Sequence, residues 1–182
     1  MQREIEIKLK VNDFNKIIEE FTKLGCKFTE PIIQKDIIFV DESYGDFAKH
    51  QQGKNVLRIR QSSEKYLFTL KQSQDNELDS IEREVEISDP KIFREALELM
   101  GYKEMVRVNK IRRKAKYRDY EICLDRVEEL GTFIELEKFS DGDGAGVQNE
   151  MLQFLQNMGI DTTERVERGY DTLMWLKEHP TS

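Results

Sequence analysis

Along the chain the spacing of apolar residues switches between two periods, and the switches mark out the elements. Phe14, Ile17, Ile18, Phe21 and Leu24 recur at helical spacing and stop at Gly25. Ile92, Phe93, Ala96, Leu97 and Met100 do the same before Gly101, and Val147, Met151, Leu152, Phe154, Leu155 and Met158 before Gly159. Three amphipathic helices closed by glycine follow from this. Asn12 or Asp13, and Ser88 or Asp89 with Pro90, supply the side-chain acceptors and preset φ that helix starts favour. Elsewhere the period is two: Glu4 to Val11, Gln34 to Asp41, Val56 to Gln61, Lys65 to Gln72, Ile81 to Ser88, Val106 to Tyr117, Arg118 to Val127 and Thr132 to Phe139. The helices are too few to cross over after every strand, so the sheet is expected to be antiparallel and the class α+β. Residues 1–182 read as a single domain. The Gly-rich stretch Asp141 to Gly146 reads as a mobile loop.

Side chains two apart on a strand share a face. Glu4, Glu6 and Lys8 therefore point one way and Ile5, Ile7 and Leu9 the other. One such strand is an ordinary solvated face over a core. The pattern continues, however, with Arg58 and Arg60, Glu84 and Glu86, Lys110 and Arg112, and Glu135 and Glu137, each pair opposite apolar residues. Two carboxylates at i and i+2 lie about 7 Å apart, and at an effective dielectric of 20 they repel by roughly 2 kcal/mol. Several such pairs converging need cations. Because the signs segregate by strand, the pattern suits a ligand with two kinds of charge. A polyphosphate chelated to a divalent metal is one: its oxygens take Arg and Lys, while the metal takes hard carboxylate oxygens. If the charged face is the inside of a barrel, the three helices must cover the apolar outside.

Composition narrows the picture further. With 36 Asp+Glu against 29 Lys+Arg the net charge is -7, so non-specific attraction to nucleic acid or an anionic membrane is not expected. No run of 18 apolar residues occurs and the chain begins MQREIEIKLK, without the apolar region of a secretory signal, so a cytoplasmic location is expected. Cys26 and Cys123 lie far apart without a CxxC, and His50 and His179 have no partners at zinc spacing. Asp141, Asp143 and Gly146 match the first, third and sixth positions of a calcium loop, but Ala145 and Leu152 stand where oxygen ligands belong. There is no GxxxxGK[ST] to cradle phosphates.

Glu4-x-Glu6-x-Lys8 is followed in order by Leu57-Arg58-Ile59-Arg60, Phe68-Thr69-Leu70-Lys71, Glu84-Val85-Glu86, Lys110-Ile111-Arg112, Leu124-Asp125-Arg126-Val127 and the run from Leu130 to Glu137. In that order the chain resembles the CYTH superfamily, the triphosphate tunnel metalloenzymes, over nearly its whole length. Arg168-Gly169-Tyr170-Asp171-Thr172-Leu173 is similar to the family's Ser-Tyr-x-x-Leu ending, with Gly169 in place of the small polar residue. The resemblance implies a closed eight-stranded antiparallel β-barrel, a tunnel lined by charge, with helices packed outside. It implies that Lys8, Arg58, Arg60, Lys71, Lys110, Arg112 and Arg168 hold a triphosphate, Lys8, Lys71 and Arg112 serving catalysis. It assigns Mg²⁺ or Mn²⁺ to Glu4, Glu6, Asp125, Glu135 and Glu137, with Glu84 and Glu86 able to join them. Within the superfamily the order of motifs is most similar to class IV adenylyl cyclases, which implies conversion of ATP to cyclic AMP and pyrophosphate, and by analogy a homodimer. Hydrolysis of tripolyphosphate, thiamine triphosphate or nucleoside triphosphates uses the same charges and stays open, as does non-catalytic polyphosphate or nucleotide binding.

Overall fold

A computed structural model describes residues 2–180 of the chain. The strands are β1 (Arg3–Lys10), β2 (Ile32–Asp41), β3 (Asn55–Ser62), β4 (Lys65–Ser73), β5 (Asp79–Ile87), β6 (Tyr102–Tyr117), β7 (Tyr120–Val127), β8 (Gly131–Ser140) and the two-residue β9 (Arg165–Val166). The helices are α1 (Asn15–Lys23), α2 (Pro90–Leu99), α3 (Gly144–Asn157) and α4 (Tyr170–Glu178). The sheet runs β5-β4-β3-β2-β6-β7-β8-β1, and a further pairing of β5 with β1 closes it into an eight-stranded antiparallel barrel. The seam is short, with Glu4 opposite Ser80 and Ile5 opposite Asp79. Beyond it β9 takes the free edge of β1 at Lys8 and Leu9.

Alternation decides what the barrel holds inside. Ile5, Ile7 and Leu9 of β1 are fully buried on the outer face, where they pack with Ile17 and Phe21 of α1 and Met151 and Leu155 of α3. Each such side chain taken out of water contributes about 1.5–3 kcal/mol, which fixes the register and turns the charged row inward. Leu97 of α2 seals a second outer cluster with Phe39, Leu57 and Ile59.

Helix boundaries follow the sequence closely. Asp89 accepts the backbone N–H groups of Lys91 and Ile92 at 3.0 Å each, with Pro90 in the first turn. Gly25, Gly101 and Gly159 have φ of +84°, +87° and +73°, a backbone that side chains with a Cβ rarely adopt. At α1, Asp13 accepts the N–H of Asn15 at 2.9 Å.

Three expectations are corrected. The stretch Asp141 to Gly146 is not a free loop, because Asp143 caps α3 by accepting the Gly146 N–H at 2.9 Å. Gly144 lies so close to the barrel that a Cβ there would stand 2.3 Å from Asp79 Oδ2. A fourth helix, α4, covers the barrel in addition to the three expected. Finally, α2 rests on the sheet through Leu97 and part of Phe93, leaving Ile92 and Met100 of its apolar stripe 63% and 64% exposed. Ile92 lies about 100° around the helix from Phe93, and Met100 stands past the last turn, so a narrow contact line misses both.

Candidate functional site

The inward rows enclose a cavity of about 560 Å³. Its lining takes Glu4, Glu6 and Lys8 from β1, Asp36 from β2, Arg58 and Arg60 from β3, Lys71 from β4, Glu82 and Glu84 from β5, Lys110, Arg112 and Lys114 from β6, and Glu135 and Glu137 from β8. Tyr170 of α4 stands across the end where Lys8 lies.

On the wall formed by β6, β7 and β8 the charges are matched. Arg112 donates from Nε to Asp125 Oδ1 at 2.7 Å, from Nη2 to Asp125 Oδ2 at 2.5 Å and from Nη1 to Glu137 Oε1 at 3.1 Å. It also bonds Glu135. Lys110 reaches Asp125 Oδ2 at 3.1 Å. Burial alone would raise the Asp125 carboxyl, but the Arg112 and Lys110 cations outweigh it and hold Asp125 well below the usual carboxylate range. Glu135 is lowered in the same way, Lys8 and Arg112 overcoming its burial. Lys8 Nζ lies 3.2 Å from Glu135, donates to the Arg168 carbonyl at 2.8 Å and sits 4.1 Å from the centre of the Tyr170 ring. Across the cavity Arg60 grips Asp36 with two bonds of 2.7 Å; these outweigh burial and lower that carboxyl to about 2.

On the wall formed by β1, β5 and β4, acid is in excess. Lys71 Nζ is 2.8 Å from Glu82 and 3.6 Å from Glu6. Glu82, next to that ammonium, is lowered to about 2 despite burial. Glu4 is pushed up to about 9 by burial and by the Glu137 and Glu82 carboxylates, which the one lysine does not offset. Glu137 is likewise raised, by burial first and then by Glu135 and Glu6, although Arg112 opposes the shift. Glu6, Glu135 and Glu137 each bring a carboxylate oxygen within 4.8 Å of the others. At that distance two carboxylates repel by about 3 kcal/mol at an effective dielectric of 20. Hard oxygens gathered against their own repulsion fit a divalent cation, whose charge would oppose the upward shifts of Glu4 and Glu137.

Most of the expected residues converge here, and three fall elsewhere. Glu86 shares the face of Glu82 and Glu84 but lies outside the lining, exposed and paired with Lys65 at 2.9 Å. The Arg168 side chain turns away to Ala48 O at 2.7 Å and Glu77 at 2.9 Å, lining a smaller cavity, and only its carbonyl serves Lys8. Asp125 is fully buried behind Lys110 and Arg112 and does not line the cavity surface. Glu84 sits at the rim, where Arg58 Nη2 donates to Thr69 Oγ1 and Thr69 Oγ1 to Glu84 Oε2, both at 3.0 Å.

Sequence reasoning missed Asp36, Glu82, Thr69, Lys114 and Tyr170. Glu82 carried a signal, being one pleat from Glu84 on the same face and directly opposite Lys71 in register. Asp36 follows the polar Gln34 and Lys35 and gave no such signal; only the register, which sets it directly opposite Arg60, shows its part.

The CYTH domain pattern matches residues 2–170. A protein of Methanocaldococcus jannaschii named "Putative adenylate cyclase MJ0240" is 33% identical over 179 residues, covering 95% of this chain and 99% of that one. Among solved structures, PH1012 protein from Pyrococcus horikoshii superposes with a TM-score of 0.77 at 26% identity, over 94% of this chain and 99% of its own. A protein of Vibrio parahaemolyticus named a "putative adenylate cyclase" superposes with a TM-score of 0.75 at 18% identity, over 93% of this chain and 97% of its own, a likeness of fold alone.

Proposed function

The chain belongs to the CYTH domain family, and from that membership and the geometry of the tunnel we propose that it is a metal-dependent enzyme acting on triphosphates, converting ATP to cyclic AMP and pyrophosphate. The observation that carries this reading is the placing of Glu6, Glu135 and Glu137 within 4.8 Å of one another, on a cavity whose other walls present Arg58, Arg60, Lys71 and Lys110. The name borne by the M. jannaschii relative favours cyclisation over hydrolysis.

In this reading Glu6, Glu135 and Glu137, with Glu4 beside them, hold Mg²⁺ or Mn²⁺. When bound, that ion supplies Lewis acidity at the reacting phosphate and neutralises two charges. Lys8, Arg58, Arg60, Lys71 and Lys110 take the phosphate oxygens through charge-assisted hydrogen bonds. Arg112 faces the same oxygens, and Asp125 behind it fixes its plane, so its charge is oriented before the substrate arrives. The 3′-hydroxyl gives up its proton to solvent as its oxygen forms a bond to the α-phosphorus, the bond from that phosphorus to the bridging oxygen breaks, and pyrophosphate departs into the cation set. Neither histidine lines the cavity, so positioning and electrostatics carry the rate rather than a covalent intermediate.

The test is to incubate the purified protein with ATP, thiamine triphosphate and tripolyphosphate separately, each with Mg²⁺ or Mn²⁺, and to separate the products. Cyclic AMP with pyrophosphate from ATP supports the proposal. Orthophosphate as the only product would make it a triphosphatase, and unchanged substrates would leave a binding protein.

A further inference from the structure

The inward row of β8 does not end with its carboxylates. Phe139 follows Glu135 and Glu137 at the same spacing, lies directly opposite Glu4 across the strand pair and contributes to the cavity lining, yet it is 60% exposed. An open aromatic face on a row of charge has no packing role to explain it. The other aromatic residues on the lining near α4 are already used: Phe47 is 3% exposed and packs on Trp175 at 6.1 Å and on Tyr44 at 5.5 Å. A planar ring entering from that side would have to displace core.

We propose that Phe139 is the stacking surface for the base of a nucleoside triphosphate, whose phosphates extend inward past Glu137. This rests on the reading of the tunnel as a triphosphate site and adds to it what the tunnel selects. One pleat, about 7 Å, separates Phe139 from Glu137 along the strand, a span that a ribose occupies. Stacking tolerates any base because each has a π-face, so the row would separate nucleotides from inorganic polyphosphate without separating one base from another.

Two ligands titrated into the Mg²⁺-loaded protein test this: α,β-methylene ATP, whose α–β bridge cannot be broken by cyclisation, and tripolyphosphate, which has no ring. Replacing Phe139 by alanine should weaken the nucleotide analogue by about tenfold and tripolyphosphate by less than twofold, and Phe139→Trp should restore the nucleotide. Because the side chain is exposed, an unchanged melting temperature is expected and separates loss of stacking from loss of fold. Equal weakening of both ligands, or of neither, overturns the inference while the tunnel reading stands. If the unmutated protein binds neither ligand, the tunnel reading fails and takes the inference with it. A dimer in sedimentation that Phe139→Ala turns into a monomer would show instead that a second copy covers the ring, which also overturns it.

Discussion

The two walls of the tunnel carry the same kinds of side chain and have been put to opposite use. On β6, β7 and β8 each buried cation has a carboxylate, Arg112 and Lys110 converging on Asp125, and Asp125 and Glu135 are held below the usual carboxylate range, while Glu137, where β8 meets β1, is raised with the acids facing it. On β1, β5 and β4 three carboxylates share Lys71, and Glu4 is driven up to about 9. The first wall is complete within the protein. The second is short of positive charge in the protein alone, and a ligand bringing a divalent cation would complete it. Burial is common to both, so the difference lies in the local count of charges rather than in solvent exclusion.

Turnover separates the walls most sharply. Glu6→Ala or Glu137→Ala should abolish metal-dependent turnover and leave a folded protein. Wild-type activity of either variant in excess Mg²⁺ would remove these residues from the metal site. Next in size is Asp125→Ala, which leaves the buried Lys110 without its hydrogen-bonded carboxylate and takes two bonds from Arg112, and should cost about 3–5 kcal/mol in urea denaturation. A variant as stable as the parent would deny the matched wall its structural part. Lys71→Ala removes a charge-assisted bond worth about 1.5–3 kcal/mol, so calorimetry should show tripolyphosphate binding weakened by roughly 10–100-fold. The idea fails there if the affinity does not move.

The smallest effect is one of pH. Asp36 has a folded pKa of about 2 against 3.8 for the free group, so the unfolded chain binds its proton first as pH falls. Its contribution, roughly 2 kcal/mol, is therefore complete above about pH 4 to 5 and lost as pH falls through about 2. The stability gap between the parent and Asp36→Asn should close over that range, and a gap constant down to pH 2 would contradict the Arg60 pairing.

Much of this was legible in the sequence, and the failures have physical causes. Alternation in β1 fixed which face is inward because Ile5, Ile7 and Leu9 admit only one burial. The acidic row of β5 was placed one pleat too far out: Glu82-x-Glu84-x-Glu86 is uninterrupted, and where a rim cuts it depends on the stagger of the closed barrel. Helix α4 went unseen because Leu173, Met174, Trp175 and Leu176 are consecutive and show no stripe. Arg168 was assigned by its side chain, whereas its carbonyl is what holds Lys8, a backbone role that no residue type announces. The Asp and Gly of 141–146 have loop composition, yet Asp143 is a cap and Gly144 is required by its approach to Asp79.

The central claim is that the acid-rich wall takes a divalent cation together with polyphosphate. Electron paramagnetic resonance of Mn²⁺ added to the protein with tripolyphosphate measures this directly. The account predicts a protein-bound Mn²⁺ spectrum that gives way to that of Mn²⁺ held by tripolyphosphate alone in the Glu6→Gln and Glu137→Gln proteins. The same bound spectrum in the parent and both variants would place the metal elsewhere and contradict it.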